Sequence, residues 1–512
     1  MTDTELQAQA AHAQGLAYLE KGMFGEALFH LKKAITLVPN YLEAHNTLGR
    51  AYNETGDFEL SIQTCLHILS QNPQAYFVLQ NIAKSYGEMG RHAEALSYYY
   101  RYIALSPTAA TAYSDLFLTL NYLPMSREAM FVEHYKFHIF DKNNTNSNYL
   151  YQKNIHDSSK RKIKVGYVSG DLREHPVAHL FVPVIKNHDR SKFNIHIYNN
   201  THSQDDVTKK IKNYGDTWRD IQALSHEDTL ELIRSDNLDI LVDLSGHTGS
   251  NRLLIFAARA APIQVAWLGY MNTTGLKNMD YRITDFNLSV PDSEKYYTEK
   301  LWRVTNSFTF DPLMELPDID DLPALKNGFI TFASLNNYKK ITSHVYDVWA
   351  DILRKIPTSR LVFSLKGNDT LKQSVLTKFE LRGISSDRIK IIDQKLIEDY
   401  VKFFNDIDIL LDPFPFTGCI TVFHGLWGGV PSIVMEGVTE YERNGPTVMK
   451  KVGLDSCIAH NPQEYVDIAV YWASHFDELA ELRKKMREKF PKNEDKLVTK
   501  GIEDAFIKMY NR

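Results

Sequence analysis

Residues 406–435 read DIDILLDPFPFTGCITVFHGLWGGVPSIVM. An apolar run at 409–411 stops at Asp412, a loop rich in proline and glycine follows, and residues with helical spacing precede a second apolar run at 430–435. This order predicts strand, loop, helix and strand. A loop that ends at a helix N-terminus presents backbone N–H groups and the positive end of the helix dipole, which suits a phosphate. Many α/β proteins carry such a loop for packing reasons alone, so both interpretations stay open here.

The composition is that of an ordinary globular protein. The chain has 512 residues, enough for two to four domains, with 44% hydrophobic and 24% charged residues. The net charge of -5 gives no basic surface for nucleic acid, so we expect no nucleic-acid partner.

The three cysteines, Cys65, Cys419 and Cys457, have neither disulfide-framework nor zinc-site spacing. The chain shows no basic-then-apolar leader and no run of about 18 apolar residues. We therefore predict a cytoplasmic protein with no membrane span.

The first region is repetitive. Three sets of residues recur with a spacing of 34 positions: Tyr18, Tyr52 and Tyr86; Gly22, Gly56 and Gly90; and Pro39, Pro73 and Pro107. Small residues recur where paired helices must approach closely, at Gly15, Gly49 and Ala83 and again at Ala27, Ser61 and Ala95. The pattern resembles three tetratricopeptide repeats, which we assign to residues 1–108. Such repeats stack into a superhelix that binds a protein or peptide, or they brace the next domain.

Residues 109–160 are predicted to form a helical connector. The segments at 113–124 and 127–140 have helical patterns, and the stretch at 141–162 is polar and rich in turn residues.

From residue 161 the pattern changes to short apolar strands that alternate with amphipathic helices. We divide it into an α/β domain at 161–320, with a parallel sheet covered by helices on both faces, and a second α/β domain, with terminal helices, at 321–512. In the first domain, three polar segments follow strands, at 169–179, 245–251 and 269–274. Because ligands bind at the carboxyl ends of parallel strands, we expect these segments to meet at one edge.

Several side chains at strand ends are candidates for chemistry. Lys340 follows a strand, with Asn336 and Asn337 nearby, and such a lysine can neutralise a diphosphate or simply be exposed to solvent. His175 and His179 are four residues apart, a spacing that permits metal binding, acid–base work or simple capping and packing.

The turn that contains His247 and Thr248 could present donors to a ligand or could be an ordinary turn. Asp171 could be a base or a helix N-cap, and Asp243 lies within an apolar strand pattern. We assign catalysis to neither carboxylate.

The motifs taken together resemble one known family. The repeats are followed by VGYVSGDLREHPVAHL, LDILVDLSGHTGSNR, APIQVAWLGYMNTTGLKNMDYRITD, FASLNNYKKIT and LLDPFPFTGCITVFHGLWGGVP. In this order they resemble the O-GlcNAc transferase and SPINDLY-type glycosyltransferases of the bacterial branch, over nearly the whole chain.

The resemblance implies a fold and a reaction. The fold is a tetratricopeptide-repeat superhelix followed by an α/β GT-B fold of two Rossmann-like domains. The reaction is inverting transfer of a sugar from a nucleoside diphosphate to Ser or Thr of a protein, with neither metal nor cofactor and with UDP-GlcNAc as the default donor. Lys340 and His175 match the family's catalytic positions. The resemblance places the donor beside Asn336, Asn337, Tyr400, Gly418, Cys419, Ile420, Thr421 and His424, and the acceptor cleft beside His179, His247, Thr248, Gly269 and Tyr270.

The chain departs from the family pattern in the donor region. Cys419 and Ile420 replace part of a threonine-rich run, and His424 replaces an acidic residue that holds the ribose. Tyr400 and Phe403 stand where relatives have a histidine and a basic residue, and an aromatic ring there can stack on a base.

Three alternatives stay open at this stage. The donor could be GDP-fucose or another nucleotide sugar. The acceptor could be a glycan or a small molecule. The chain could also be a non-catalytic repeat scaffold that retains the fold.

Overall fold

The computed structural model describes residues 1–142, 161–313, 318–393, 400 and 402–512. These residues form two compact units, one made of residues 1–123 and 326–403 and the other of residues 124–325 and 404–512. Across these ranges, no helix is long and apolar enough to cross a membrane.

The α-helices are numbered in chain order. They are α1 Asp3–Glu20, α2 Phe24–Leu37, α3 Leu42–Thr55, α4 Phe58–Gln71, α5 Leu79–Glu88, α6 His92–Leu105, α7 Ala110–Leu120, α8 Arg127–Tyr135, α9 Pro176–Asn187, α10 Asp206–Lys212, α11 His226–Ser235, α12 Leu253–Ala257, α13 Pro323–Asn327, α14 Ser343–Lys355, α15 Asp369–Glu380, α16 Ile420–Trp427, α17 Glu440–Lys451, α18 Pro462–Ser474, α19 Phe476–Lys485 and α20 Glu494–Tyr510.

The strands are numbered in the same way. They are β1 Ile163–Ser169, β2 Phe193–Asn199, β3 Thr217–Asp220, β4 Ile240–Asp243, β5 Ile263–Ala266, β6 Tyr281–Asp285, β7 Lys300–Val304, β8 Thr331–Ser334, β9 Arg360–Leu365, β10 Ile389–Asp393, β11 Ile409–Leu411, β12 Ser432–Met435 and β13 Ile458–Ala459. Short 3-10 helices lie at Tyr76–Val78, Lys136–Phe140, Ser293–Tyr296, Tyr338–Lys340, Ser386–Arg388, Lys402–Asp406, Asp455–Cys457 and Met486–Lys489.

The repeats are three pairs of antiparallel helices, α1–α2, α3–α4 and α5–α6, as the spacing predicts. A methyl group added at Gly15 would lie 2.7 Å from Leu31 Cγ, and one at Gly49 would lie 2.7 Å from Cys65 Sγ. The repeated small residues therefore mark real close approaches between helices. The turn glycines Gly22, Gly56 and Gly90 all have positive φ, at +73°, +84° and +72°. The first predicted connector helix is also present, as α7, which packs against α6.

In the same unit, the repeats pack on the first half of the second Rossmann-like region. Parallel strands β8, β9 and β10 lie in the order β10-β9-β8, with helices α14 and α15 between them in sequence. Asn368, the N-cap of α15, donates from Nδ2 to Glu59 Oε2 at 3.5 Å. A methyl group at Gly56 would lie 3.1 Å from Gly367 Cα, so the second repeat touches the loop after β9.

The other unit contains a seven-stranded parallel sheet in the order β3-β2-β1-β4-β5-β6-β7. Its core is dominated by fully buried aliphatic and aromatic side chains of the strands, such as Val165, Tyr167, Ile195, Val242 and Val265. The sequence patterns predict β1, β2, β4 and β5. They do not assign β6, and they miss β3 and β7, the two edge strands, whose positions are largely half-exposed or exposed.

This unit also holds the last three strands of the second Rossmann-like region. Strands β11, β12 and β13 are parallel, and α16 connects the first two. The predicted order of strand, loop, helix and strand at 406–435 is confirmed. The residue pattern at 397–406 also predicts a helix that leads into this stretch. That segment falls partly outside the described residues, and its end is the 3-10 helix at Lys402–Asp406.

The final helix returns to the first sheet. Helix α20 packs against α9 and β7. His188 Nδ1 lies 2.9 Å from Glu503 Oε1, and the other ring nitrogen lies 2.7 Å from the hydroxyl of Tyr167. The chain end therefore completes the covering of the first Rossmann-like region.

Candidate active site

The carboxyl ends of β1, β4 and β5 meet at one edge of the seven-stranded sheet. Gly170 donates its backbone N–H to Ser245 Oγ at 3.3 Å, and Ser169 Oγ lies 3.4 Å from the same oxygen. A methyl group at Gly246 would lie 2.2 Å from Tyr270 Cβ. The three polar segments that follow these strands therefore crowd together, as the sequence predicts.

His175 stands at this edge as the N-cap of α9. Its Nδ1 accepts the backbone N–H of Val177 at 3.3 Å, and its Nε2 lies 3.5 Å from Asp171 Oδ1. Burial, together with Arg173 and His179, lowers the pKa of His175 to about 3, so the ring is neutral at pH 7. Since Nδ1 accepts a hydrogen bond, this network assigns the ring proton to Nε2. In this state the ring can donate a hydrogen bond from Nε2.

Asp171 is the carboxylate beside His175. It is 6% exposed, and its backbone N–H donates to Ser169 Oγ at 2.9 Å. Burial raises the pKa of Asp171 to about 6, against the opposing effects of Arg173 and the Thr248 hydroxyl. The carboxylate is therefore mostly ionised at pH 7 and close to its titration range. The interpretation of Asp171 as a helix N-cap is wrong, because His175 caps α9.

His179 is fixed in the packing one turn further along α9. Its Nδ1 lies 2.9 Å from the backbone oxygen of Asp311, and its Nε2 lies 2.9 Å from Glu174 Oε1. The ring is 2% exposed and stacks on Phe310. In the described part of the chain, no group of three or more His, Cys, Asp or Glu residues is placed to hold a metal ion, so the histidine pair gains no third ligand there.

His247 and Tyr270 form the wall behind the edge. His247 is fully buried, with Nε2 2.9 Å from the backbone oxygen of Thr274, and burial lowers its pKa far below the ordinary value. The Tyr270 hydroxyl lies 2.6 Å from His134 Nε2. A methyl group at Gly269 would lie 1.9 Å from the backbone oxygen of Leu244. Both rings are held by hydrogen bonds to neighbouring residues. Their part in an acceptor cleft stays a prediction.

Thr248 is the member of this group that reaches the edge itself. It is half-buried and donates its hydroxyl to the backbone oxygen of Ser245 at 2.8 Å. Its hydroxyl also lowers the pKa of Asp171 against the effect of burial. Its predicted contact with an acceptor likewise stays a prediction.

The loop between β11 and α16 is folded around Asp412. The backbone N–H of Gly418 lies 2.9 Å from both carboxylate oxygens of this residue. Thr417 donates its hydroxyl to the backbone oxygen of Tyr441 at 2.9 Å and accepts the N–H of Gly445 at 3.2 Å. Cys419 is the N-cap position of α16. Helix α17 therefore braces the loop, and residues 420–421 open the helix that follows it.

His424 lies inside α16 and is 5% exposed. Its ring meets His179 edge-on with centroids 5.0 Å apart, and it meets Phe310 at 5.4 Å. Burial, with a smaller effect of His179, lowers the pKa of His424 to about 3. The structure thus brings together one residue predicted for the donor and one predicted for the acceptor, a contact that the sequence does not reveal. The predicted roles of Ile420, Thr421 and His424 in holding the donor stay predictions.

Lys340 lies in the other unit, in the 3-10 helix that follows β8. Its Nζ lies 3.3 Å from Asn336 Oδ1, and Asn336 is 6% exposed. Asn337 caps the turn, since its side chain accepts the backbone N–H of Lys339 at 3.2 Å. The two asparagines thus have different local roles, one beside the ammonium group and one at the turn. Tyr400 is half-buried, and burial raises its pKa.

A buried ion pair that sequence reasoning misses braces the same region as the loop. Glu440, at the start of α17, accepts Arg282 Nε at 2.9 Å and the Thr284 hydroxyl at 2.8 Å, and it also accepts the Ser289 hydroxyl. Arg282 is 2% exposed and Glu440 1%. The local sequence shows only where this helix begins, through the capping box of Thr439 and Glu442, and it does not indicate the ion pair. The pair joins β6 to the helix that supports the 412–419 loop.

Comparison with known proteins identifies the family. The family described as glycosyl transferase family 41 matches residues 125–314 and 321–498, and tetratricopeptide-repeat families match residues 18–80 and 78–108. A solved mutant of the Thermobaculum terrenum O-GlcNAc transferase is 28% identical, with a TM-score of 0.90, over 100% of this chain and 98% of that one.

Curated relatives agree. Proteins named probable UDP-N-acetylglucosamine–peptide N-acetylglucosaminyltransferase SPINDLY are similar to this chain. The one from Petunia hybrida is 36% identical over 71% of this chain and 41% of its own length, and the one from Hordeum vulgare is 38% identical over 69% and 38%. The chain thus spans about two fifths of the length of these relatives. With a family match over both Rossmann-like regions and the predicted fold confirmed, the chain belongs to glycosyl transferase family 41.

Proposed function

We propose that this protein is an inverting, metal-independent O-glycosyltransferase that moves a sugar from a nucleoside diphosphate to Ser or Thr of a protein. The observation that carries the proposal is the family match across both Rossmann-like regions. The names of the relatives and of the solved structure support GlcNAc as the sugar and UDP-GlcNAc as the donor.

In the proposed reaction, the hydroxyl oxygen of the acceptor attacks the anomeric carbon of the sugar, and the bond from that carbon to the diphosphate breaks. Lys340 neutralises the charge that develops on the departing diphosphate, a task that a metal ion performs in other enzymes. The backbone N–H groups at the start of α16 are a second candidate for diphosphate contacts.

His175 and Asp171 are proposed to handle the acceptor. A neutral His175 that donates from Nε2 orients the acceptor oxygen, and this orientation lowers the barrier by holding the reacting atoms in place. Asp171 is the adjacent carboxylate, and its pKa of about 6 lets it hold the proton that the acceptor releases. This division of roles replaces the simpler one in which His175 itself takes the proton.

The donor identity rests on the loop where the chain departs from the family pattern. Cys419, Ile420 and His424 could favour a different nucleotide sugar, and GDP-fucose is the main alternative. Binding of UDP against GDP, measured by thermal stabilisation, separates the two, since a ligand bound only by the native state raises apparent stability.

The repeats are proposed to dock the protein acceptor. Stacked helical repeats present an extended surface for peptides, and this surface can guide a chain towards the catalytic region. Removal of residues 1–108 is not a clean test, because the repeats pack on the loop after β9. Docking is tested instead with surface substitutions on the repeats. For each variant, sugar transfer to a short peptide acceptor is compared with transfer to a full protein acceptor.

A cytoplasmic setting fits the cysteines. Burial raises the pKa of the Cys65 and Cys457 thiols to about 12, so neither is a reactive thiolate at neutral pH. We propose that the protein works in a reducing compartment.

The test of the function is a donor panel. The purified protein is incubated with UDP-GlcNAc, GDP-fucose and other nucleotide sugars, with and without a protein acceptor and with a chelator present. Nucleoside diphosphate release is read by mass spectrometry. We expect release from one donor that the chelator leaves unchanged, and a mass increase of one sugar on the acceptor. Partner binding without turnover of any donor would instead identify a non-catalytic scaffold.

A further inference from the structure

Lys339, the neighbour of Lys340, is tied into the third repeat. Its Nζ lies 3.2 Å from Glu88 Oε1, at the end of α5, and 5.9 Å from the ring centre of Tyr122. The side chains of Lys339 and Glu88 are 23% and 24% exposed. An ion pair that is mostly shielded from water holds its geometry more firmly than a surface pair.

The backbone of this segment is held by the same repeat. His92 Nε2, at the start of α6, lies 2.7 Å from the backbone oxygen of Lys339. His92 is 4% exposed and stacks on Tyr122 at 5.0 Å. Burial lowers the pKa of His92 to about 4, so the ring is neutral, and its N–H must lie on Nε2 because a carbonyl oxygen only accepts. A methyl group at Gly90 would lie 3.7 Å from the backbone oxygen of Ile341.

These contacts distinguish Lys339 from its neighbour Lys340. Burial alone would raise the pKa of Glu88, but the Lys339 ammonium holds it below the ordinary value. Burial alone would lower the pKa of Lys339, but Glu88 raises it. The Lys339 charge is therefore matched by a carboxylate of the third repeat. The Lys340 ammonium lies 3.3 Å from Asn336 Oδ1.

The segment needs such support. Residues 338–340 form a single 3-10 turn, and one turn is not stable by itself because its few hydrogen bonds do not offset the lost chain entropy. Asn337 caps one side of the turn. Tyr338 is held by the same Rossmann-like region, with its hydroxyl 2.9 Å from that of Tyr346 and 3.0 Å from Lys378 Nζ. The third repeat adds two anchors on Lys339, one to its side chain and one to its main-chain oxygen.

We propose that Glu88 and His92 are positioning residues for the donor step, and that the third repeat, by fixing residues 338–341, aims Lys340 at the donor diphosphate. This inference rests on the proposed function and extends it: the repeats act on the donor side as well as docking an acceptor. The repeat region then sets the rate of a reaction that involves no protein acceptor at all.

The experiment uses the full-length protein without an acceptor. Water then accepts the sugar, and the released nucleoside diphosphate measures donor turnover. The variants are Glu88→Gln and His92→Leu, with His92→Gln as the conservative rescue, since its amide can still donate to the Lys339 oxygen. Glu94→Gln is the matched control, because Glu94, on the same helix as His92, forms an exposed pair with the N-cap residue Arg91.

Small displacements of a catalytic group are costly, so we expect roughly tenfold or greater loss of kcat for donor turnover in Glu88→Gln and His92→Leu. The KM for a short peptide acceptor should change by less than about twofold, because only the donor side is altered. His92→Gln should recover to within about threefold of the native rate, and Glu94→Gln should match it.

Two results would overturn the inference. One is native donor turnover in folded Glu88→Gln and His92→Leu. The other is a loss confined to long protein acceptors, which would leave the repeats as a docking surface only. If Glu88→Gln does not fold, the paired variant Glu88→Met/Lys339→Met removes both charges while keeping the packing, and the same tenfold loss is expected. A native protein that binds neither UDP nor GDP in calorimetry would contradict the proposed function itself, and this inference with it.

Discussion

The two candidate catalytic groups are held in opposite ways. At the sheet edge, His175 is placed by the helix it caps and by Asp171, four residues before it. Lys340 is placed by a turn that Glu88 and His92 help to anchor, and these residues lie 251 and 247 residues away from Lys339. One group depends on its own neighbourhood, and the other depends on a separate structural region. Substitutions in the repeats can therefore displace Lys340 without changing the contacts of His175.

The largest expected effect is on Lys340. Lys340→Ala should lower donor turnover by roughly 10² to 10³-fold, because it removes a charge aimed at the developing diphosphate. The melting temperature should stay within a few degrees of the native value. The control is Lys326→Ala, since Lys326 is exposed and lies at the start of the second segment of the same unit. Unchanged turnover in Lys340→Ala would remove this residue from the mechanism.

The sheet edge should respond strongly to steric change. A methyl group at Gly269 would meet the Leu244 carbonyl oxygen at 1.9 Å, so Gly269→Ala must displace a strand end. We expect a loss of about 3 kcal/mol in the free energy of unfolding, measured with urea. The control is Gly249→Ala on a neighbouring loop, where the added methyl would meet no atom of the described residues within 4 Å. Equal stabilities of the two variants would contradict the tight packing of this edge.

The electrostatics of the same edge can be tested by pH. Asp171 has a folded pKa of about 6 against an ordinary value of 3.8, so the native state binds its proton more tightly than the unfolded state does. The contribution of this residue to stability is therefore present below pH 4 and is lost as the pH rises to 6. In Asp171→Asn, which does not titrate, this loss is absent. The stability of the native protein relative to this variant should fall by up to roughly 3 kcal/mol from pH 4 to pH 7. Parallel curves for the two proteins would show that burial does not perturb Asp171.

The smallest effect tests whether the third repeat reaches the lysine segment. Gly90→Ala and Gly22→Ala both place a methyl group at positive φ, with φ of +72° and +73°. Each should cost roughly 1–2 kcal/mol of local stability. Only Gly90 lies beside the backbone of residue 341, so only Gly90→Ala should also lower donor turnover, by a few-fold. Equal turnover in both variants would argue that the repeat junction tolerates this strain.

Much of the local architecture is predictable because it is written in short-range patterns. The repeat spacing locates Gly15 and Gly49 at helix contacts, and the apolar runs locate the central strands of the sheet. The strand ends are predictable as well, since parallel strands bring their carboxyl ends to one edge. For these features, sequence separation and spatial separation are linked by a fixed geometry.

The rest depends on pairs that no local pattern connects. Nothing near Lys339 indicates that Glu88 is its partner, and nothing near His424 indicates His179. The choice between Lys339 and Lys340 stays ambiguous in the sequence because both have the same charge and reach. Tertiary contacts decide these cases. The N-cap of α9 is mistaken for a different, local reason, because histidine is a less common cap than aspartate.

The return of α20 to α9 has a consequence for synthesis of the chain. Glu503, which binds His188, is made 315 residues after it. At about 5 to 20 residues per second, the outer face of α9 waits between roughly 15 and 60 seconds for its cover. A newly made first sheet therefore emerges with an apolar helix face open to its surroundings. During that interval the free energy of packing between α9 and α20 is missing, so the first sheet gains its full stability only after residues 494–510 have been made.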